Sequence, residues 1–198
     1  MEEEPPWPPD LRAYSYLLGL YLGDGHIASL RGSTFILRVT LDAAYPRIAA
    51  EAMLAIRRVL PARNPRVGRV RNVRAYRVEC NSRWWPDLLP QHGAGRKHTR
   101  RIALQPWQQL ITEIHPHELL RGLIHSDGCR YVAHQRQGSR TYSYTRYAFS
   151  NRSRDIQRIF CDHADLLGIA WTQPGEKQIQ IARREAVAIL DEFVGPKQ

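Results

Sequence analysis

Positions 17–25 read Leu-Leu-Gly-Leu-Tyr-Leu-Gly-Asp-Gly, and positions 120–128 read Leu-Arg-Gly-Leu-Ile-His-Ser-Asp-Gly. Both nonapeptides are largely apolar and contain two small residues four positions apart, the second directly before an Asp-Gly dipeptide. Asp24 and Asp127 therefore occupy the same register in two copies of one element. A repeat of this kind predicts two acids that meet across an internal twofold axis.

The small residues of each copy share one face of a helix, because they are four positions apart: Gly19 with Gly23, and Gly122 with Ser126. Small residues at this spacing let two helix backbones approach closely, so the copies predict a tightly packed helix pair. Gly25 and Gly128 match the left-handed position that ends many helices. Asp24 and Asp127 then stand at helix C-termini, where the helix dipole disfavours negative charge and a cation would relieve the cost.

Both nonapeptides resemble the LAGLIDADG motif of homing endonucleases, in the form that carries two motifs on one chain. The resemblance extends over nearly the whole sequence, because the elements after each motif also follow the family's order. The second copy is the looser match, with His125 and Ser126 at its sixth and seventh positions. The resemblance implies that Asp24 and Asp127 bind a catalytic Mg²⁺, with Mn²⁺ as a substitute, and that the backbone carbonyls of Gly23 and Ser126 add ligands. Oxygen ligands of this kind suit magnesium rather than zinc.

Hydrophobic periodicity and turn residues divide the chain into two halves with the same element order. Each half reads αββαββα, and we predict an α+β fold in which two pseudo-symmetric halves form a saddle of antiparallel sheets around the central helix pair. The predicted parts are a mobile tail over 1–9, an N-terminal half over 10–95, a connector over 96–115 and a C-terminal half over 116–198. Finer predictions are an N-cap at Asp10, a strand over 67–73, and turns at 31–33 and at Pro174-Gly175.

The chain carries a formal net charge of +10 over 198 residues, which predicts a polyanionic partner. Almost all basic residues are arginines, which favour planar contacts to phosphate and guanine. Arg69 and Arg71 are predicted to share one strand face, and Tyr142, Tyr144 and Arg146 another. The residues predicted to contact double-stranded DNA are Arg69, Arg71, Arg74, Arg100, Arg101, Arg130 and Arg146.

The stretch 93–101, in which glycines precede cations, is typical of a loop that follows a phosphate backbone. Members of the resembled family often keep a basic residue near the metal centre, and Lys97 is the candidate here. Asp42 and Asn151 each follow the second strand of their half, and they are the candidates for orienting water.

The cysteines Cys80, Cys129 and Cys161 are scattered and odd in number, which suits a reducing compartment. No C-x-x-C pair is present, which argues against a structural zinc site. The apolar runs fall well short of the ~20 residues that a membrane span requires. These features predict a cytoplasmic protein with no membrane partner.

The leading interpretation is a monomeric, sequence-specific DNA endonuclease that hydrolyses phosphodiesters with a divalent metal. The alternative is a transcriptional regulator that uses the same scaffold to bind DNA without cutting it; retention of both acids favours the nuclease. A third interpretation is an RNA-binding protein of the maturase type. Tyr142, Tyr144 and Tyr147 could stack on bases, but packing within the sheet explains these tyrosines equally well.

Overall fold

The computed structural model describes residues 7–30 and 33–198. Most of the predicted tail, residues 1–6, and the first two positions of the turn predicted at 31–33 lie outside the described residues.

The helices and strands repeat one order on either side of a connector. The first half comprises α1 Leu11–Asp24, β1 Gly25–Ser29, β2 Phe35–Asp42, α2 Pro46–Val59, β3 Arg66–Arg69, β4 Ala75–Ser82 and α3 Trp85–Leu88. The connector contains a 3₁₀ turn, Lys97–Thr99, and α4 Pro106–Ile114. The second half comprises α5 Pro116–Asp127, β5 Gly128–Gln137, β6 Arg140–Ser150, α6 Arg154–Leu166, β7 Thr172–Gly175, β8 Gln178–Ile181 and α7 Arg184–Phe193. Each half is αββαββα, which confirms the predicted fold class.

Local sequence signals set where the helices begin. The carboxylate of Asp10 accepts a hydrogen bond of 2.8 Å from the backbone N–H of Ala13, which confirms the predicted N-cap of α1. Proline occupies the first helical position of α2, α4 and α5, where its missing N–H has no intrahelical partner to lose. No helix within 7–30 and 33–198 combines the length and the apolar character that crossing a bilayer requires.

The two motif helices α1 and α5 pack backbone to backbone at their glycines. A Cβ atom added to Gly19 would lie 2.9 Å from the Cα of Gly122, and one added to Gly122 would lie 3.0 Å from the Cα of Gly19. Leucines on either side of this crossing are fully buried: Leu17, Leu18, Leu20, Leu119, Leu120 and Leu123. The predicted close helix pair is therefore the centre of the core.

Each half contributes one four-stranded antiparallel sheet, with strand orders β1-β2-β4-β3 and β5-β6-β8-β7. Apolar residues at alternate positions of β2, such as Leu37 and Val39, are buried against the helices. In the second half, Phe149 of β6 stacks on Phe160 of α6 with ring centroids 4.5 Å apart. Because the helices cover one face of each sheet, the opposite faces remain available to a partner.

The predicted left-handed conformation at the ends of the motif helices is wrong. Gly25 and Gly128 are extended, with φ of −86° and −110°. Glycine is needed at both positions because a Cβ atom would lie 2.5 Å from the Cα of Tyr21 in the first copy and 2.7 Å from the Cα of Ile124 in the second. The chain thus passes from helix to strand across its own last helical turn.

Two predicted element boundaries are also wrong. The strand predicted over 67–73 ends at Arg69, because the chain turns over 71–74 and Asn72 adopts a positive φ of 63°. Pro174 and Gly175 belong to β7, and the turn to β8 falls on Glu176 and Lys177.

Candidate metal centre and nucleic-acid interface

Asp24 and Asp127 are the last residues of α1 and α5, and the two helices end side by side. A Cβ atom added to Gly23 would lie 2.5 Å from the Cβ of Ser126 and 3.0 Å from Oδ2 of Asp127. The seventh position of each motif must therefore be small for both acids to reach one place. The hydroxyl of Ser126 donates back to the carbonyls of Gly122 (3.1 Å) and Leu123 (3.0 Å).

The environment disfavours negative charge on both acids. Burial raises the pKa of Asp24 to about 7, and the neighbouring charge of Asp127 contributes to the rise, while Lys97 and Lys197 oppose it. Burial also raises the pKa of Asp127, against the hydrogen bond from Asn151 and the same two lysines. A cation held between the carboxylates would remove this cost.

The donors at this place suit a hard divalent cation. Among the described residues, no group of three or more His, Cys, Asp or Glu side chains is arranged to hold a metal ion. Two carboxylates and main-chain carbonyls are all-oxygen donors, and Mg²⁺ commonly takes one or two carboxylates and completes its shell with water and substrate phosphate. The residues therefore fit the cation that was expected from the sequence.

Lys97 reaches the C-terminal end of α1 from the connector. Its Nζ donates to the carbonyls of Tyr21, Leu22 (3.1 Å) and Gly23 (3.1 Å). Burial lowers the pKa of Lys97 to about 8, although Asp127 and Asp24 both oppose the shift. Lys97 thus lies beside the acids as predicted, and the Gly23 carbonyl that was expected to bind metal already accepts a hydrogen bond from it.

A second lysine, which was not predicted from the sequence, lies at the end of α5. Nζ of Lys197 donates to the carbonyl of His125 at 2.9 Å, and His125 holds the motif position that Leu22 holds in the first copy. Burial lowers the pKa of Lys197, while Asp24 is the largest influence that raises it. The third lysine, Lys177, is exposed on the β7–β8 turn. The rarity of lysine in so basic a chain was the one available signal.

The two candidates for orienting water differ in their surroundings. Nδ2 of Asn151 donates to Oδ2 of Asp127 at 2.6 Å, and its Oδ1 accepts from the N–H of Ser153 at 2.7 Å. Asp42 instead accepts a hydrogen bond of 2.8 Å from the N–H of Ala44. The two halves of the site are therefore unequal, because only the second acid has a neutral amide partner of this kind among the described residues.

A cleft of about 470 Å³ opens beside the acids, and its lining is basic: Lys97, His98, Arg100 and Arg152 line it together with Asp127 and Asn151. Nε of Arg100 is buried and has no hydrogen-bond partner within the described part of the chain. Arg101 lies elsewhere, in a groove of about 440 Å³ that it lines with Asp155 and Arg158. Of these two predicted contact residues, only Arg100 lines the cleft beside the acids.

In the second sheet, the predicted residues divide between the two faces. Tyr142 and Tyr144 stack with ring centroids 6.4 Å apart, and they share the face that lies opposite the helices with Arg146. Arg130 pairs across the strands with Tyr147, whose side chain is buried against the helices. Nε and Nη2 of Arg130 donate to the two carboxylate oxygens of Asp191, at 2.8 and 2.9 Å. Arg130 and Arg146 therefore do not share a surface.

In the first sheet, the predicted arginines lie away from the open face. Arg69 is opposite Tyr76 in the β3–β4 ladder, and its guanidinium lies 5.5 Å from the centroid of the Tyr76 ring. Both side chains lie on the same face of the sheet as the buried Val78, which is the face that the helices cover. Arg71 and Arg74 lie in the β3–β4 turn. The prediction that Arg69 and Arg71 share one strand face is wrong, because the strand ends before Arg71.

Other arginines, which were not predicted from the sequence, cover the open face of the first sheet. Arg66 and Arg38 both pair across the ladder with Glu79, and Nε of Arg38 binds Oε1 of Glu79 at 2.9 Å. Arg77 lies two positions before Glu79 on β4 and so points to the same side. Strand alternation relative to a buried residue such as Val78 is the signal that identifies this set.

No protein-family model and no curated protein matches the sequence. Solved structures do match. The LAGLIDADG meganuclease I-AabMI bound to uncleaved DNA superposes with a TM-score of 0.57 and 11% identity, over 91% of this chain and 82% of that one. I-DmoI in complex with DNA and Mn superposes with a TM-score of 0.57 and 13% identity, over 96% and 99% of the two chains.

The N-terminal LAGLIDADG domain of DUF199/WhiA is also similar, with a TM-score of 0.51 and 12% identity over 95% of this chain and 83% of that one. At these identities the likeness is one of fold. This chain therefore has the LAGLIDADG fold in its single-chain form, with both motif helices on one polypeptide.

Proposed function

We propose that this protein is a sequence-specific, double-stranded DNA endonuclease that hydrolyses phosphodiesters with a divalent metal ion. The observation that carries the proposal is the arrangement at the ends of α1 and α5. Asp24 and Asp127 lie there, and a lysine donates to main-chain carbonyls at each helix end, Lys97 at the end of α1 and Lys197 at the end of α5. Two partly buried acids that repel each other destabilise the folded state when both are charged. A role in binding a cation explains why both are present.

In this proposal, Asp24 and Asp127 hold Mg²⁺, which Mn²⁺ can replace, with main-chain carbonyls of Gly23 and Ser126 as further ligands. When bound, the metal activates water and neutralises charge on the scissile phosphate. The two ammonium groups stabilise the negative charge that develops on the phosphate. Asn151, held by the Ser153 N–H, fixes the orientation of the Asp127 carboxylate.

DNA lies, in this proposal, across the open faces of both sheets, with its central phosphates above the acids. The basic cleft and the arginines of the open faces support this placement, because phosphate contacts supply most of the affinity of such an interface. The likeness to the two nucleases whose structures include DNA supports it further. Both motif helices lie on one chain, so we propose that the protein acts as a monomer.

A second candidate is a DNA-binding regulator that does not cut. The similarity to the N-terminal LAGLIDADG domain of DUF199/WhiA is the observation that favours it. The nuclease remains the better candidate because both acids and two partly buried lysines are present, and a scaffold that only binds DNA has no need of them.

The test is a selection from a randomised duplex library in Mg²⁺ and in Mn²⁺, with sequencing of both bound and cut molecules. We expect the protein to yield cut ends at a recurring sequence. Asp24→Asn and Asp127→Asn should bind that sequence at least as tightly, since a negative charge that faces phosphate is removed, but should not cut it. Tight sites without cut ends in either metal would replace the nuclease with the regulator.

A further inference from the structure

The strands of the two halves differ in their hydrogen-bonding chemistry. The strands of the first sheet, β1 to β4, contain no glutamine, and their charged residues include arginines together with Asp42 and Glu79. The strands of the second sheet, β5 to β8, contain no acid and several glutamines: Gln135, Gln137, Gln173, Gln178 and Gln180. Gln173 donates to Gln157 of α6 and so lies on the helix side, whereas the other four glutamines share the open face with Tyr142. The two pseudo-symmetric halves therefore present different donors and acceptors to one partner.

The open face of the first sheet carries arginines grouped around one glutamate. Glu79 stands between Arg38 and Arg66 in neighbouring strands, and it binds Arg38 at 2.9 Å. Arg66 and Arg77 line a groove of about 470 Å³ at the outer edge of the sheet, together with Glu79. Because Glu79 is already paired with Arg38, the guanidinium groups of Arg66 and Arg77 remain available to a ligand at this edge.

The open face of the second sheet carries amides and phenol rings alongside Arg140 and Arg146, and it carries no acid. Gln135 pairs with Tyr142 across the β5–β6 ladder, and Tyr142 stacks on Tyr144. Both tyrosines are exposed, at 38% and 43%. Nε2 of Gln180 donates to the hydroxyl of Tyr131 at 2.5 Å, so an amide and a phenol of this face also form a hydrogen bond with each other.

Arginines lie on both open faces, but the groups that distinguish the faces, a carboxylate on the first and glutamines with tyrosines on the second, read different base pairs in a major groove. Arginine binds the O6 and N7 atoms of guanine with two hydrogen bonds, and a carboxylate accepts from N4 of cytosine. Glutamine binds N6 and N7 of adenine, and apolar or aromatic surface contacts the methyl group of thymine. We propose that the target is chemically divided, with a G·C-rich half-site under the first sheet and an A·T-rich half-site under the second. This inference rests on the proposed function.

The first hairpins of the two sheets, β1–β2 and β5–β6, also differ in the length of their ladders. The β5–β6 ladder runs through ten residue pairs, from Gly128 opposite Phe149 to Gln137 opposite Arg140. The β1–β2 ladder runs through five, from Gly25 opposite Val39 to Ser29 opposite Phe35. At about 3.4 Å per residue, the five further pairs make the β5–β6 ladder roughly 17 Å longer than the described β1–β2 ladder. We therefore expect the A·T-rich half-site to be the longer of the two.

The test uses the full chain carrying Asp24→Asn, so that DNA is bound but not cut, and a randomised duplex library in which sequences are selected by binding alone. We expect a consensus with one G·C-rich side and one longer A·T-rich side. Arg77→Gln in that background should reduce the preference for guanine about tenfold at one or two positions on the G·C-rich side only. Gln135→Ala should do the same for adenine on the other side.

Matched variants on the opposite face of the second sheet serve as controls. Arg130→Gln and His134→Ala both lie on the reverse of the β5–β6 hairpin, where Arg130 binds Asp191 and the ring of His134 binds Ser143 at 3.0 Å. Neither should change base preference at any position. Melting temperatures of all four variants, compared with the parent, separate a lost contact from a lost fold.

The outcomes distinguish this inference from the proposed function. A consensus with the same base composition on both sides would overturn the inference and leave DNA recognition intact. The inference is also overturned, again without loss of DNA recognition, if Arg77→Gln relaxes the A·T-rich side. If no duplex is enriched by a folded protein, the proposed function fails and the inference fails with it.

Discussion

Asp24 combines burial, a helix C-terminus and a like-charged neighbour, and this combination makes its charge costly. The pKa of Asp24 is about 7 in the folded protein, against 3.8 for an ordinary aspartate. Between these values the folded state binds more protons than the unfolded state. Without metal, the contribution of Asp24 to stability is therefore greatest below about pH 4 and decreases as the pH rises to about 7.

We expect Asp24→Asn to stabilise the metal-free protein. In EDTA at pH 8, its free energy of unfolding should exceed that of the parent by about 1–3 kcal/mol, because the neutral amide avoids the desolvation cost of the carboxylate. Denaturant titrations at pH 5 and pH 8 measure the difference. Asp162→Asn, an exposed change in the middle of α6, should leave the pH profile as it is. A loss of stability at pH 8 in Asp24→Asn would contradict this account.

Lys197 contacts the end of α5 as Lys97 contacts the end of α1. Lys197→Met should lower the cleavage rate about a hundredfold, because one group that stabilises developing charge is lost, while DNA affinity changes little. Lys177→Met removes an exposed lysine from a turn and should cleave normally. Equal cleavage by the two variants would exclude Lys197 from the reaction.

His125 explains why the second motif departs from the pattern of the first. Its side chain is buried, and Nδ1 lies 2.9 Å from the hydroxyl of Tyr16, which donates to Glu51 at 3.2 Å. Burial lowers the pKa of His125 to about 3, so the ring is neutral near pH 7. The unusual side chain joins the two halves, while its backbone carbonyl accepts the hydrogen bond from Lys197.

At the scale of elements, the crossing of α1 and α5 depends on the absence of side chains. Gly122→Ala would place a Cβ atom 2.9 Å from the backbone nitrogen of Leu20 and 3.0 Å from the Cα of Gly19. Backbone atoms cannot yield as a flexible side chain can, so we expect a loss of about 1–3 kcal/mol in the free energy of unfolding. The helix ends should also separate, which weakens metal binding as measured by calorimetry.

Gly68 of β3 is the matched control for this helix-crossing glycine. A Cβ atom added to Gly68 has no heavy atom within 4 Å among its described neighbours. Gly68→Ala should therefore change the free energy of unfolding by no more than about 0.5 kcal/mol. If both alanine variants are equally stable, the close approach of the two helices is not what holds the acids together.

At the scale of the whole molecule, the net charge of +10 predicts binding to duplex DNA that weakens steeply with salt. Arg100→Gln should weaken binding about equally for all sequences and reduce the salt slope by about one, as expected for one lost phosphate contact. Arg130→Gln should leave the slope unchanged, because Asp191 already binds that guanidinium. Affinity that does not respond to salt would contradict an interface based on phosphates.

The oligomeric state follows from the same internal symmetry. Because one chain supplies both motif helices, light scattering should give a mass near 22.9 kDa at micromolar concentration. A mass of twice that value, stable on dilution, would show that a second copy takes part.

The amino-acid sequence is sufficient to predict the helix pair, the register of Asp24 and Asp127, the N-cap at Asp10 and the order αββαββα. These features depend on helical spacing, strand alternation and capping within short segments, so local patterns are sufficient to predict them. The family resemblance also singled out Lys97, whose Nζ binds carbonyls at the end of α1. Its part in the reaction stays a prediction.

Which side chains meet beyond that local range depends on how the helices and sheets pack together. Lys197 reaches a carbonyl 72 positions earlier in the chain, and no periodicity encodes that contact. The open faces of the sheets depend on strand register, and a shift of one residue exchanges the two faces. For this reason Arg66 and Arg77, rather than Arg69, occupy the open face of the first sheet, and Arg130 lies on the reverse of the second. The helices bury one set of alternate residues in each strand, and the other set forms the open face. Which set is buried is fixed only when the helices pack against the sheets.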